Sequence, residues 1–150
     1  MMDEYVVLKL FHILIAILAL GTSAGLGIVL EFYGKHPAHG PFVLRVIERI
    51  VAVVVLPGYA LILFTGVWMT NLAWPWQTKW IQAALALWGL GAIILGTFLA
   101  VLRKQIELSN AEWRTSMSYG RVSLLARVLG AAVGLVVVII LYLMVFKPVR

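Results

Sequence analysis

Four long runs of residues without a charged side chain constrain this chain more than any other feature. A helix rises about 1.5 Å per residue and the hydrocarbon layer of a membrane is about 30 Å thick, so roughly 20 residues cross it. Each run reaches that length once adjoining residues are counted. The runs are Ile13–Leu30 with 18 residues, Ile50–Thr78 with 29, Trp80–Leu102 with 23 and Val128–Phe146 with 19.

These runs predict an all-α fold, a bundle of four transmembrane helices in one integral membrane domain. The composition agrees, because 63% hydrophobic and 12% charged residues lie outside the range of soluble domains. The connection between the second and third runs is too short for anything but antiparallel neighbours. The single domain covers residues 1–150, with helices predicted at 5–30, 43–71, 78–108 and 121–146.

The first run is predicted to be a membrane span and not a cleaved signal peptide. Asp3 and Glu4 stand where a signal carries basic residues, and the apolar stretch is too long. The chain has no cysteine, which excludes disulfides, thiolate metal sites and thiol chemistry.

Basic side chains concentrate at two of the three connections between helices. The net charge is +6, but its distribution indicates membrane topology and contact with the lipid bilayer, and no nucleic-acid partner is predicted. The positive-inside rule puts those two connections in the cytoplasm and both termini outside, and a bacterial inner membrane is the expected location. Eight basic residues lie in or beside these connections (Lys35, Arg45, Arg49, Arg103, Lys104, Arg114, Arg121, Arg127) and four on the opposite side (Lys9, Lys79, Lys147, Arg150).

Local patterns refine the helices. Pro57 is predicted to kink the second helix, because proline removes a backbone hydrogen bond. Trp74, Trp76 and Trp80 surround the following turn and are typical of the aromatic belt at a membrane interface. Residues 109–112 (Ser-Asn-Ala-Glu) fit a capping box, which predicts a short cytoplasmic helix before the fourth span.

Charged residues near the helix ends have predicted partners. Arg103 and Glu107 have the i,i+4 spacing of a pair on a solvated helical turn. Arg127 lies inside the fourth helix and is expected to extend its guanidinium to the headgroups. Its alternative role is to pair with a carboxylate such as Glu31 or Glu48.

His12 is the one histidine within a predicted span, in the segment Lys9-Leu10-Phe11-His12. A titratable side chain at membrane depth is costly unless it faces protein, a cofactor or water. The functional hypothesis is that His12 is an axial ligand of haem b in a redox role. Two alternatives remain open: a histidine hydrogen-bonded between helices, and a proton-relay or quinone-site histidine.

Counting from the helix ends places four polar residues near the depth of His12. Lys9 lies one turn before it on the first helix, and Thr65, Gln82 and Tyr142 reach the same depth on the other three helices. These four are the candidate residues surrounding a haem or other cofactor. No second histidine reaches this depth, so a haem would be five-coordinate, use another ligand type, or be shared across a dimer.

Other features predict no catalytic chemistry. His36 and His39 have a spacing that could join a metal site, but no Asp, Glu or Cys completes it, so a solvated loop is expected. Zinc-protease and nucleophile-elbow motifs are absent from the sequence. The pairs Gly21/Gly25 and Gly130/Gly134 have the G-x-x-x-G spacing of packing helices.

Those glycine pairs support an alternative function, a structural or accessory subunit of a homo-oligomer or membrane complex that binds no cofactor. A small transporter is a third hypothesis, and it is weakened because no intramembrane carboxylate is available to couple ions. Enzymatic activity is not predicted by any motif.

Several segments resemble a known family. Residues 8–12 (Leu-Lys-Leu-Phe-His), the glycine-rich end of the first helix, residues 64–68 (Phe-Thr-Gly-Val-Trp) after Pro57, and residues 85–88 (Leu-Ala-Leu-Trp) after Trp80 carry the resemblance. Together they are similar to an uncharacterised bacterial family of predicted four-helix integral membrane proteins. That family implies the fold and no activity.

A more distant resemblance concerns the pattern Leu-Lys-x-x-His that ends at His12. It is similar to the copper-resistance D type membrane domain and to the membrane-spanning, haem-containing protoporphyrinogen oxidase of bacteria. Those relatives imply a haem ligand at His12. The oxidase also has a lysine on its third helix shortly after a tryptophan, whereas Trp80 is followed here by Ile-Gln-Ala-Ala. This departure argues against a porphyrinogen-oxidising activity.

Overall fold

Four long helices account for nearly all of residues 2–34, 39–109 and 117–148, which the computed structural model describes. Helix α1 is Met2–Tyr33, α2 is the continuous helix Gly40–Ala73, α3 is Lys79–Glu107 and α4 is Met117–Phe146. Each is long and apolar enough to cross a membrane, and the described residues contain no strand. The predicted all-α fold with four candidate spans is confirmed.

Helix α2 accommodates Pro57 by changing its hydrogen-bond pattern. The segment Val51–Val55 is π-helical, and the N–H of Leu56 bonds to the carbonyl of Val51, five residues earlier. A proline ring clashes with the carbonyl four residues before it. The wider π turn removes that clash within a continuous helix. The sequence predicts a kink at Pro57, and the structure has a π-helical segment on the N-terminal side of this proline.

The main cluster of buried apolar side chains lies in one half of the bundle. We call the end that carries the α1–α2 and α3–α4 connections the loop end, and the opposite end, where α1 begins and α4 finishes, the terminal end. The packed core lies in the loop half and includes Leu44 and Leu102, both 0% exposed. Close van der Waals contact between such side chains is a main contribution to the association of membrane helices.

Two ion pairs connect the helices at the loop end. Arg103 Nε lies 2.9 Å from Glu48 Oε1, and Arg127 Nη1 lies 3.7 Å from Glu31 Oε2. The predicted Arg103–Glu107 pair is wrong, since Lys104 binds Glu107 at 3.0 Å. Arg103 reaches across to α2 because the adjacent α2 surface offers a carboxylate. The predicted capping box extends into residues 110–116, outside the described residues.

The terminal half has a different arrangement. The Leu56–Ala73 part of α2 packs chiefly on α1, whereas α3 packs along α4. Helices α1 and α2 come close at Gly58, where a Cβ atom would lie 2.7 Å from Ala19 Cβ. The space between this helix pair and the α3–α4 pair in the terminal half forms the candidate site.

We expect Gly58→Ala to destabilise the protein by about 1–3 kcal/mol, because the added methyl overpacks the α1–α2 contact. Gly96→Ala is the matched control, since a Cβ there meets no atom within 4 Å. The free energy of unfolding of both variants, measured by titration with SDS in mixed micelles, checks this. Equal stability of the two variants would contradict the close contact at Gly58.

Candidate functional site

A cavity of about 650 Å³ lies between the two helix pairs in the terminal half of the bundle. Its volume is typical of small-molecule and cofactor sites, which run from roughly 300 to 1,000 Å³. All four helices line it, mostly with aliphatic and aromatic side chains. Among the described residues no carboxylate lines it, and its polar and aromatic members are Tyr5, Lys9, His12, Tyr59, Thr70, Trp74, Trp80, Trp88 and Lys147.

His12 is a buried polar side chain in the wall of this cavity. Its side chain is 8% exposed, and Nδ1 lies 2.7 Å from Thr65 Oγ1 on α2. The Thr65 hydroxyl in turn donates to the carbonyl of Leu61 at 2.7 Å. The contact joins α1 to α2 at the depth that residue counting predicted for both side chains.

The hydrogen bonds of Thr65 favour one tautomer of His12. A threonine hydroxyl has one hydrogen, and the Leu61 carbonyl lies within hydrogen-bond distance to accept it. In that arrangement a neutral imidazole donates its Nδ1–H to Thr65 Oγ1. Nε2 is left with a lone pair, and the described residues offer it no hydrogen-bond partner. An imidazole oriented in this way is prepared to ligate a metal or accept a proton.

Gly66 provides the space for the imidazole ring. A Cβ atom on Gly66 would lie 3.4 Å from His12 Cε1, a distance that leaves little room for any larger side chain. Gly66 lines the cavity beside His12. Thr65 thus binds the histidine, and the adjacent Gly66 leaves room for its ring.

Tyr59 and Trp88 form the inner boundary of the cavity. The Tyr59 hydroxyl donates to the carbonyl of Trp88 at 2.9 Å, and Trp88 Nε1–H donates to the carbonyl of Tyr59 at 3.3 Å. Their rings stack with centroids 4.9 Å apart. Gly91 makes this possible, because a Cβ there would collide with the Tyr59 hydroxyl. This reciprocal pair fixes the separation of α2 and α3 at mid-bundle.

A second cavity, of about 560 Å³, lies on the loop side of Tyr59. Tyr59 lines both cavities. The second cavity has the Glu31–Arg127 pair in its wall and is otherwise largely apolar. No described histidine lines it, so the first cavity is the candidate site for a ligand that needs an imidazole.

Aromatic and basic side chains surround the mouth of the first cavity at the terminal end. The Trp74 and Trp80 rings meet edge to face, 5.4 Å between centroids, and Trp74 Nε1–H lies 3.5 Å from Tyr5 Oη. Lys147 Nζ lies 4.5 Å from the Trp74 ring centroid and 5.7 Å from that of Trp80. These contacts connect the start of α1, the α2–α3 turn and the end of α4.

The structure brings together some of the predicted site residues. Lys9 lines the cavity with His12, and Thr65 binds His12 directly. Gln82 is exposed and donates to the carbonyl of Trp76 at 3.2 Å, outside the cavity. Tyr142 is also outside it, 51% exposed with its ring 4.8 Å from Phe146.

Gln82 and Tyr142 lie outside the cavity for a simple geometric reason. Residue counting gives depth along a helix but not the direction of a side chain around its axis. Successive residues are rotated by about 100°. The cavity is lined by Ile81 on α3 and Leu141 on α4, each the direct neighbour of a predicted residue.

Sequence reasoning did not find Tyr59, Gly66, Trp88 or Lys147 as site residues. Trp80 was interpreted only as part of the membrane-interface belt. The available signal was helical spacing: Ile81, Ala84, Leu85 and Trp88 follow the i, i+3, i+4, i+7 pattern and line the cavity together.

Neither His39 nor the glycine pairs line the first cavity. His39 is exposed at the start of α2, and His36 lies outside the described residues. Within the described ranges no group of three potential ligands could hold a metal ion on protein side chains alone. Gly21, Gly25 and Gly134 face open space, and the close helix contacts occur at Gly58 and Gly91 instead.

The fold and the site define the class: an integral membrane protein of four helices with a cavity between them. The chain belongs to a family of predicted integral membrane proteins (DUF2269), whose model matches residues 6–148. No curated protein and no solved structure matches the chain. The expected membrane family is thereby confirmed.

Proposed function

We propose that the protein binds one haem b in the cavity beside His12 and serves a redox role in the membrane. The observation that carries the proposal is the His12–Thr65 hydrogen bond at 2.7 Å. In this bond the imidazole would donate its Nδ1 proton to Thr65, and Nε2 would keep an available lone pair at the cavity wall. Metal-ligating histidines characteristically donate their other ring N–H in this way.

The other residues that line the cavity are suited to holding haem b. Its aliphatic and aromatic lining suits a flat, apolar macrocycle, and Gly66 and Ala16 keep the wall near His12 small. The similarity of Leu-Lys-x-x-His to haem-containing membrane proteins supports the same assignment. Haem b would supply a reversible one-electron couple, and the chain's own residues would hold, orient and shield it.

The lining of α3 favours electron transfer over porphyrinogen oxidation. The α3 residues that face the cavity are apolar or aromatic, and none is a lysine. The chain thus lacks the α3 lysine of the oxidase that it resembles. The α3 residues that line the cavity are Trp80, Ile81, Ala84, Leu85 and Trp88.

The visible absorption spectrum of protein purified in mild detergent from haem-replete cells tests the proposal. We expect a Soret band, and sharper bands at longer wavelength after reduction with dithionite. His39→Ala should retain this spectrum because His39 lies outside the cavity. A colourless wild-type protein would overturn the proposal.

We further propose that the terminal end faces the periplasm of a bacterial inner membrane. The basic residues at the loop end support this orientation. In the cysteine-free chain, Glu107→Cys, at the exposed loop end of α3, is expected to resist an impermeant maleimide in intact cells and to react after permeabilisation. Gln77→Cys, in the α2–α3 turn, is expected to react in intact cells. The reverse pattern would refute the orientation.

A second candidate function is supported by the position of Gly21 and Gly25 on α1. A Cβ at either would meet nothing within 4 Å, so a helix of another subunit has room to approach this G-x-x-x-G pair closely. We expect Gly25→Leu to reduce the mass of any complex measured by light scattering in detergent. An unchanged mass would remove this candidate.

A further inference from the structure

The basic mouth of the cavity has no acidic counterpart. Lys9 and Lys147 both line the cavity, and no Asp or Glu among the described residues lines it with them. Neither ammonium group forms an ion pair in the described part of the chain. Two unpaired positive charges beside an apolar cavity favour an anion, because charge interactions strengthen as the surroundings become less polar.

Trp80 adds an unused hydrogen-bond donor at the same place. Its Nε1 atom is buried and has no partner, although Trp80 lines the cavity. Buried indole N–H groups in folded proteins are normally paired. A rotation of the Trp80 side chain that exposes this N–H to the cavity would let an acceptor on a bound molecule satisfy it.

The position of Lys147 is held by specific contacts. Its backbone has φ 46°, the left-handed region that residues with a Cβ seldom adopt, immediately after α4 ends. Its Nζ lies over the Trp74 and Trp80 rings at 4.5 and 5.7 Å from their centroids. The chain therefore turns so that this ammonium group remains at the cavity mouth.

We propose that Lys9, Lys147 and the Trp80 indole N–H bind the carboxylate end of the cavity ligand, which is the propionate edge of haem b. This inference rests on the proposed function and adds the direction in which the macrocycle enters. Lys9 lies three residues before His12, about 4.5 Å nearer the terminal end along α1. The propionates would thus face the terminal end, and the apolar edge would face Tyr59 and Trp88.

Comparison of haem b with its dimethyl ester tests the orientation. Esterification removes both negative charges and keeps the iron and the macrocycle. We expect wild-type apo-protein to bind the free acid at least about tenfold more tightly than the ester, since hydrogen bonds to charged groups are the stronger ones. The double variant Lys9→Met/Lys147→Met should lose this preference while still binding the ester.

Lys79→Met is the matched control, because Lys79 is exposed at the same end and does not line the cavity. It should keep the wild-type preference. Equal binding of acid and ester by the wild type would overturn the proposed orientation and leave haem binding intact. Failure of both ligands to bind would instead overturn the proposed function, and the orientation with it.

Discussion

Purified protein in which glycine replaces His12 is expected to lack the Soret absorption of bound haem b. Among the described residues His12 is the one histidine that lines the cavity, so no other imidazole there can replace it. Loss of an outer partner of a metal ligand weakens binding by roughly 10- to 100-fold, and loss of the ligand itself should exceed this. The measurement is the absorbance ratio of haem to protein after detergent purification.

Imidazole in the buffer should restore the band in His12→Gly, because the deleted ring leaves a space of its own shape. This rescue distinguishes ligand loss from misfolding, since a misfolded variant would not regain the spectrum. An undiminished Soret band in His12→Gly without imidazole would contradict the assignment of the ligand.

The second large effect is expected for Thr65→Val. Valine keeps the shape of threonine and removes the hydroxyl that accepts the Nδ1 proton of His12. The ring can then change tautomer or rotate, so haem affinity should fall by roughly 10- to 100-fold. Titration of the apo-protein with haemin, followed at the Soret maximum, measures the change.

Thr97→Val controls for the loss of a helical threonine hydroxyl. Thr97 Oγ1 donates to the carbonyl of Ile93 at 2.8 Å, as Thr65 does to Leu61, but Thr97 is exposed on α3. Its variant should bind haemin like the wild type. Equal affinities of the two valine variants would show that Thr65 does not orient His12.

The sequence predicted the helices well because their cause is local. An uncharged run of about 20 residues can satisfy its backbone in a bilayer only as a helix or in a closed barrel, and this holds for any order of residues within it. The same reasoning predicted that His12 and Thr65 lie at one depth. Their contact followed once α1 and α2 packed together.

The other site residues could not be predicted in this way, because their positions depend on the rotation of each helix about its axis. Tyr59 and Trp88 bond reciprocally only because Gly91 permits the approach. That rotation depends on contacts between residues distant in sequence, such as Tyr59 and Trp88. For the same reason Gln82 and Tyr142 had the predicted depth but point away from the cavity.

The most direct test of the central claim, that His12 ligates haem iron, is the iron–nitrogen stretching band in the resonance Raman spectrum of the reduced protein. Cells auxotrophic for histidine would be grown with ordinary or nitrogen-15-labelled histidine. The proposal predicts that the band shifts to lower frequency with the label, because the iron-bound nitrogen would belong to a histidine. A protein without haem, or a haem spectrum that the label leaves unchanged, would contradict it.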